Sequence, residues 1–436
     1  MHAERNTNTQ RERLLAAIVH VNSERGYEQA TIARVISHAG VSRATYYEHF
    51  SDKRDGFLAA VREIERRAIA AIGGEIAAQP PQSAAAAAVA ALVAFAQEQP
   101  APARLLMNET MAAGPTALDA RDQGIRAIAR LVEDTQQQAG AQDPVSAIPS
   151  EIVVGATYRL LASRLRRGER WTEDLGRDLL DWVAAHADAA GARRWRALAA
   201  IPAPAPSPLL GRAPLRAPPA LGPGRPRRSA AARSENHRLR IIFATADVIR
   251  RDGYERASVA AFARAAGVDT GAFYRLFRDK RDAFTAVHEF VFQGAMAVTA
   301  GAFFAIEGWP QRIWEAARTL TQYLQQNPTL TYFSLIEGHA GGDASTQRFE
   351  ELLAGFTIFL QEGYQYAPRG EDCQPSRVAL EAATQAALEV LYRQARTSAR
   401  PQLAGLTARL AFIGLAPFVG AAKAGELIER ASERQS

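Results

Sequence analysis

The chain is predicted to be all-α. Apolar residues recur at every third or fourth position through most of its length, no convincing segment alternates with period two, and a block of short glycine-punctuated helical patterns occurs twice. Across Arg11 to Arg25, Leu14, Leu15, Ile18 and Val21 share one helical face, and Gly26 ends the helix. Thr31 is placed to cap a second helix that runs through Ala39 and stops at Gly40. Val41 and Ser42 open a third helix reaching about His49, and Asp52 caps a longer fourth. In the third, Val41 can pack on Tyr46 as a hydrophobic staple. The helical step then turns Tyr46, His49 and Phe50 inward and Ala44, Thr45, Tyr47 and Glu48 outward, with Arg43 on the flank. So short a helix with so exposed a face must be held by the two before it, which is the helix-turn-helix arrangement that offers its last helix to the major groove.

The repeat is gapless. Gly26 to Asp55 returns as Gly253 to Asp282 at a constant offset of 227, with fourteen of thirty positions identical. In the second copy Val268, Asp269 and Phe273 restate the staple and cap. Beyond this window and its flanking helices the halves share only a helical pattern.

At 436 residues the chain is long enough for two to four domains, and 47% apolar with 22% charged residues is an ordinary globular balance. The most weakly polar runs, Ala84 to Ala96 and Leu410 to Ala422, are 13 residues each and too short to span a bilayer. No membrane association is expected, and the N-terminal residues lack a secretory pattern, so a cytoplasmic location is expected. Cys373 is the only cysteine, which excludes an internal disulfide or a multi-cysteine metal site. The net charge of +6 is concentrated. Residues 201–240 hold eight arginines against one glutamate, a net +7, and the other 396 residues sum to −1. Within that stretch Ile201 to Ala232 is rich in Pro, Ala and Arg and reads as a linker, able to reach on the order of 100 Å if extended as polyproline II. The expected division is therefore a first helix-turn-helix domain over 8–70, a first helical regulatory domain over 83–198, a linker over 199–233, a second helix-turn-helix domain over 234–297 and a second regulatory domain over 308–430.

Lys53 and Arg54 stand at the start of a helix, against the positive end of its dipole, and so do Lys280 and Arg281. Repeating an unfavourable placement points to an anionic partner, and a DNA phosphate would accept from both the lysine and the free N–H groups there.

At these residues the sequence resembles the tetracycline-repressor-like (TetR) family of bacterial regulators. The first copy carries the resemblance through Gly26-Tyr27, the run Ala39 to Phe50, and Lys53; the second carries it through Gly253-Tyr254, Ala266-Gly267-Val268, Phe273-Tyr274, Phe277 and Lys280. The resemblance implies two tandem units, each a three-helix helix-turn-helix domain followed by a helical domain for ligand binding and dimerisation. It also implies that Thr31, Tyr47 and Lys53 hold phosphates, that Arg43, Ala44 and Thr45 meet base edges, and that His49 is the family's usual histidine. Arginine can pair with guanine, and a methyl of Ala44 or Thr45 can touch thymine.

In the second copy the base-reading positions become Thr270, Gly271 and Ala272, and the histidine becomes Leu276, whereas Ser258, Tyr274 and Lys280 keep the phosphate roles and Arg275 adds a cation. Both heads are expected to bind double-stranded DNA while reading different half-sites, the second with fewer bases. Arg225, Arg227 and Arg228, just ahead of the second head, resemble a basic arm for the minor groove. All but three phenylalanines lie in the second half, so an apolar or flat effector is expected there, with Trp314, Phe333, Phe356 and Phe359 as candidate pocket residues.

Neither metal spacing among the eight histidines nor a phosphate-cradling glycine loop or nucleophile elbow is present, so no enzyme activity, cofactor or metal is expected. Asp119, Asp122, Glu133 and Asp134 read as a solvated helix face. The expected function is a ligand-released repressor reading an asymmetric or composite operator, working as an internal pseudo-dimer or a homodimer, the ligand changing the spacing of the heads. One alternative stays open: a helical ligand-binding or interaction protein that has lost specific DNA binding in one or both heads.

Overall fold

The computed structural model describes residues 2–138, 145–169, 174–210, 214–220, 229–368, 374–398 and 400–434. Helices account for nearly all of the regular structure, and the extended pieces among the described residues are the two-residue segments Val145–Ser146 and Ala187–Asp188. The chain forms two compact units, Met1–Ala184 and Ala185–Ser436.

In the first unit α1 (His2–Gln29) is broken at Gly26, whose φ of 76° no side-chain-bearing residue adopts cheaply. There follow α2 (Ile32–Ala39), α3 (Arg43–His49) and α4 (Lys53–Ala77). The remaining helices are α5 (Ala84–Glu98), α6 (Pro100–Arg104), α7 (Thr110–Ala112), α8 (Pro115–Gln138), α9 (Ser150–Arg167) and α10 (Asp174–Ala184). Between α6 and α7, Leu105–Glu109 forms a single wide π-helical turn. The alanine-rich α5 packs against α4 and α9, where its small side chains let the backbones approach. Asp122 is not part of a solvated face: it is 6% exposed and paired at 2.8 Å with the buried Arg121, because the start of α8 faces α4 and α9 instead of solvent.

The second unit opens with α11 (Ala192–Ala200), so residues expected to close the first regulatory domain belong here. Trp195 is buried beneath the Arg409 guanidinium, 4.8 Å from its ring centre, and Arg194 bonds Asp188 at 2.7 Å. The second helix-turn-helix domain comprises α12 (Ala230–Asp252), α13 (Val259–Ala266), α14 (Thr270–Leu276) and the start of α15 (Lys280–Phe304). Arg233, Arg238 and Arg240 lie in α12, outside the linker. The unit continues through α16 (Trp309–Gln326), α17 (Pro328–Tyr332), a second π-helical turn Phe333–Glu337, α18 (Asp343–Ala354) and a 3₁₀ stretch Gly355–Gln365. It ends with α19 (Arg377–Thr397), α20 (Thr407–Val419) and α21 (Ala421–Glu433).

The Pro/Ala/Arg-rich stretch is tied down where it is described. Arg318 on α16 donates to the carbonyls of Ala205 (2.9 Å) and Pro206 (3.1 Å), and Gln322 donates to Pro204 and Ala205 while accepting from Ser207 N–H. Asn327 accepts from Leu215 N–H at 2.7 Å, and Asn236 donates to Pro219. Prolines lack N–H groups, so their carbonyls find no partner in a helix or ladder, and polar side chains of the unit take that role.

Candidate nucleic-acid interface and effector cavity

Each head is set by the same caps. Thr31 accepts from Arg34 N–H at 3.3 Å, and Ser258 from Ala261 N–H at 3.2 Å. Ser42 accepts from Thr45 N–H at 3.0 Å, and Asp269 from Ala272 N–H at 2.7 Å. That N–H holds the Asp269 carboxyl below the usual carboxylate range. Asp52 and Asp279 each cap the following helix at 2.8 Å.

The turn between α2 and α3 is pinned by a contact that sequence reasoning missed: Arg13 donates to the carbonyls of Ala39 and Gly40, and in the second head the Arg240 guanidinium lies beside Gly267. The signal was available, since these arginines are themselves related by the 227 offset.

On α3 Tyr46 is 1% exposed, and its hydroxyl donates to the Asp52 carbonyl; burial pushes its pKa up. Beside it Tyr47 is 49% exposed, and in the second head Tyr274 is 59% exposed next to a fully buried Phe273. Arg43, Ala44 and Glu48 are exposed with Tyr47. Thr45 is half-buried, its hydroxyl 3.0 Å from that of Ser42. His49 is half-buried toward Phe50, with Nε2 turned into the domain.

In the second head Thr270, Gly271 and Arg275 are exposed, but Ala272 is only 1% exposed. A methyl at the third helical position is too short to emerge past its neighbours, so Ala272 does not present itself to a base edge.

The lysines are drawn back onto their own domains. Lys53 donates to the Glu28 carbonyl at 3.3 Å with its ammonium 4.3 Å from the Tyr27 ring centre, and Lys280 donates to the Tyr254 carbonyl at 3.0 Å, 4.1 Å from the Tyr254 ring. A carbonyl and an aromatic face thus offset much of the expected cost of a cation at a helix start. Arg225, Arg227 and Arg228 lie outside the described residues.

The family profile described as "Bacterial regulatory proteins, tetR family" matches residues 14–61 and again 241–287, both heads with their caps and lysines. Both helix-turn-helix domains of the chain are of the TetR family. The chain is a DNA-binding transcriptional regulator with two TetR-type units in tandem, of a family that is not enzymatic. Among solved structures, this TetR protein is similar to the fatty acid degradation regulator FadR from Bacillus halodurans, at 18% identity and TM-score 0.37, over 41% of this chain and 94% of that one. It is also similar to a TetR family regulator from Marinobacter aquaeolei VT8, at 17% identity and TM-score 0.34, over 41% and 95% of the two chains. FadR from Bacillus subtilis, solved with stearoyl-CoA, matches at 19% identity and TM-score 0.35, over 41% and 98%. No curated protein matches the chain. No helix among the described residues is long and apolar enough to cross a membrane.

Each TetR head is joined to its regulatory helices by a buried carboxylate. Glu109, last residue of the first π-helical turn, accepts from Tyr27 N–H at 2.6 Å. Glu337, last residue of the second, accepts from Tyr254 N–H, and burial pushes its carboxyl up to about 7.

In the second unit a cavity of about 180 Å³ opens among α15, α16, the π-helical turn, α18, the 3₁₀ stretch, α19 and α20. Phe356 and Phe359 line it, as expected from sequence. Trp314 and Phe333 do not. The cavity-facing positions on α16 include Ile313, Ala316, Ala317 and Leu320, one stripe of the helix, and Trp314 is buried off that stripe. Phe333 packs its ring 4.7 Å from Phe284 in the core of the second head.

The matching helical positions of the first unit enclose only about 20 Å³. There Glu65 stands where the second copy has Phe292, and Arg121 and Tyr158 fill the space. Burial pushes Glu65 up to about 7. A larger groove of about 530 Å³ along α4 and α5 lies on the half-exposed alanine surface, lined also by Glu75, Gln79 and Glu98.

Proposed function

We propose that the chain is an effector-controlled transcriptional regulator with unequal heads. The first reads bases through Arg43, Ala44 and Thr45. The second grips DNA chiefly through its backbone, using Ser258, Tyr274, Arg275 and Lys280, with Thr270 and Gly271 as its remaining base-facing positions. The effector enters the cavity of the second unit, and the composite site on DNA is asymmetric.

The observation that carries this reading is the exposed outer face of α3 and α14. On each, a large aromatic (Tyr47, Tyr274) stands in solvent beside a buried one (Tyr46, Phe273), where burying both would be worth on the order of 2 kcal/mol more. An amphipathic tyrosine on a capped helix suits a sugar–phosphate contact, in which the ring packs and the hydroxyl donates.

Selection of bound sequences from a random DNA pool tests it. The expected result is one half-site of high information content and one of low, with Arg43→Ala erasing positions in the first and Tyr274→Ala weakening all sequences alike. A perfect palindrome with equal information in both arms would overturn the assignment of unequal heads.

A further inference from the structure

We propose that the cavity of the second unit takes an uncharged, compact, mostly hydrocarbon molecule bearing a single hydroxyl or carbonyl group, held at that group by His288 and Ser334. This rests on the reading of the cavity as the effector site and adds the chemistry of what fills it.

Four lining side chains carry polar atoms: His288, Thr299, Ser334 and Thr384. Two are already engaged. The Thr299 hydroxyl donates to the Ala295 carbonyl at 2.7 Å, and that of Thr384 to the Leu380 carbonyl at 3.0 Å, each folded back on its own helix. His288 and Ser334 remain. The imidazole is 2% exposed, and neither nitrogen makes a hydrogen bond of ordinary geometry among the described residues; the Gly338 backbone lies close enough to engage at most one. The Ser334 hydroxyl, in a residue 9% exposed, has no partner among the described residues either. Both belong to one end of the cavity, since a methyl at Gly338 would meet the Ser334 carbonyl at 2.5 Å and the His288 ring at 3.3 Å. Buried donors and acceptors left without partners cost free energy, and two at one end of a carbon-lined space call for a polar group from outside.

Charge is excluded by the same lining. Among the described residues no Asp, Glu, Lys or Arg lines the cavity, and burial holds the imidazole neutral, its pKa lowered to about 3. A carboxylate, phosphate or ammonium would enter without a counter-ion, which an apolar interior does not tolerate. Size follows from volume. An apolar cavity of about 150 Å³ admits a benzene-sized molecule, so about 180 Å³ suits a ring or branched chain of roughly six to ten carbons. The polar end is also the end that meets the DNA-binding domain, because Ser334 and the head-anchoring Glu337 share one π-helical turn.

The test compares cyclohexanol, methylcyclohexane and cyclohexanecarboxylate on the full-length protein at neutral pH, by calorimetry and by release of DNA recovered from the random pool. Cyclohexanol is expected to bind at least about tenfold more tightly than methylcyclohexane, and the carboxylate not at all. His288→Phe and Ser334→Ala should each remove that preference while methylcyclohexane binding persists, which also shows that the cavity is still folded. Ala317→Phe should abolish binding of both neutral rings. Carboxylate binding equal to that of cyclohexanol, failure of both neutral rings to bind, or retention of the preference in the His288→Phe/Ser334→Ala double variant overturns the proposal. Selective cyclohexanol binding without DNA release would sink the effector reading and leave the ligand class standing. Release by the carboxylate alone would do the reverse.

Discussion

Gly40 and Gly267 occupy the left-handed region at φ +61°, and each lies against an arginine from the first helix of its head. A methyl at Gly267 would come 2.6 Å from Arg240 Nη2 and force an L-residue into a conformation costing about 1 to 2 kcal/mol. Gly267→Ala is therefore expected to lower thermal stability by that amount, and an unchanged melting temperature would show that the turn relaxes. Lys53 carries two loads, since its ammonium both closes the Glu28 carbonyl and stands at the helix start where a phosphate would bind. Lys53→Ala should weaken binding to all DNA sequences alike, flatten the salt dependence by about one unit, and lower the melting temperature. Thr45→Val should instead shift preference at one base pair. The exposure of Arg43 and Tyr47 was legible in the sequence because spacing alone decides which side of a seven-residue helix they occupy. Ala272 was not, because its burial depends on how far neighbouring side chains reach beyond a methyl.

At the scale of elements, the two π-helical turns are the pieces that belong to both a head and its regulatory helices. Glu337 shows how that joint responds to pH. Its carboxyl is raised from about 4.5 to about 7 by burial, so its contribution to stability is complete below about 4.5 and is lost as pH rises through 7. Glu65 is raised to a similar value by the same cause and acts with the same sign. Denaturant unfolding of the full chain should accordingly show lower stability at pH 8 than at pH 6. Glu337→Gln should keep the acceptor for Tyr254 N–H and remove part of that dependence, Glu65→Gln another part, and the double variant most of it. A dependence as steep in the double variant as in the parent would mean that neither carboxyl titrates in this range. The helices themselves were legible from periodicity and caps. The carboxylate joints were not, because Tyr27 and Glu109 are 82 positions apart and nothing local marks either as half of a pair. The cavity was legible only as a bias: aromatic richness pointed to the half that holds it, and two of the four candidate residues line it, but which face of α16 turns inward is settled by packing.

Across the whole molecule, composition and packing divide the chain at different places. The Pro/Ala/Arg stretch has the content of a free tether, yet its described carbonyls are received by Arg318, Gln322 and their neighbours, and the units divide at Ala184–Ala185. Gln322→Ala removes two donors and one acceptor from that seam and is expected to cost about 1 to 3 kcal/mol, measured as a fall in the melting temperature of the full chain; no change would return the stretch to the status of a tether. The repeat made the two heads visible at once, because identity at a fixed offset needs no knowledge of packing. Where one half ends is a different kind of fact, since it depends on partners more than a hundred residues away. If chains of this type ever trade halves, the viable crossover lies in front of Ala185. A join at the conspicuous proline-rich stretch would deliver a second half stripped of the segment that its own helix α16 holds.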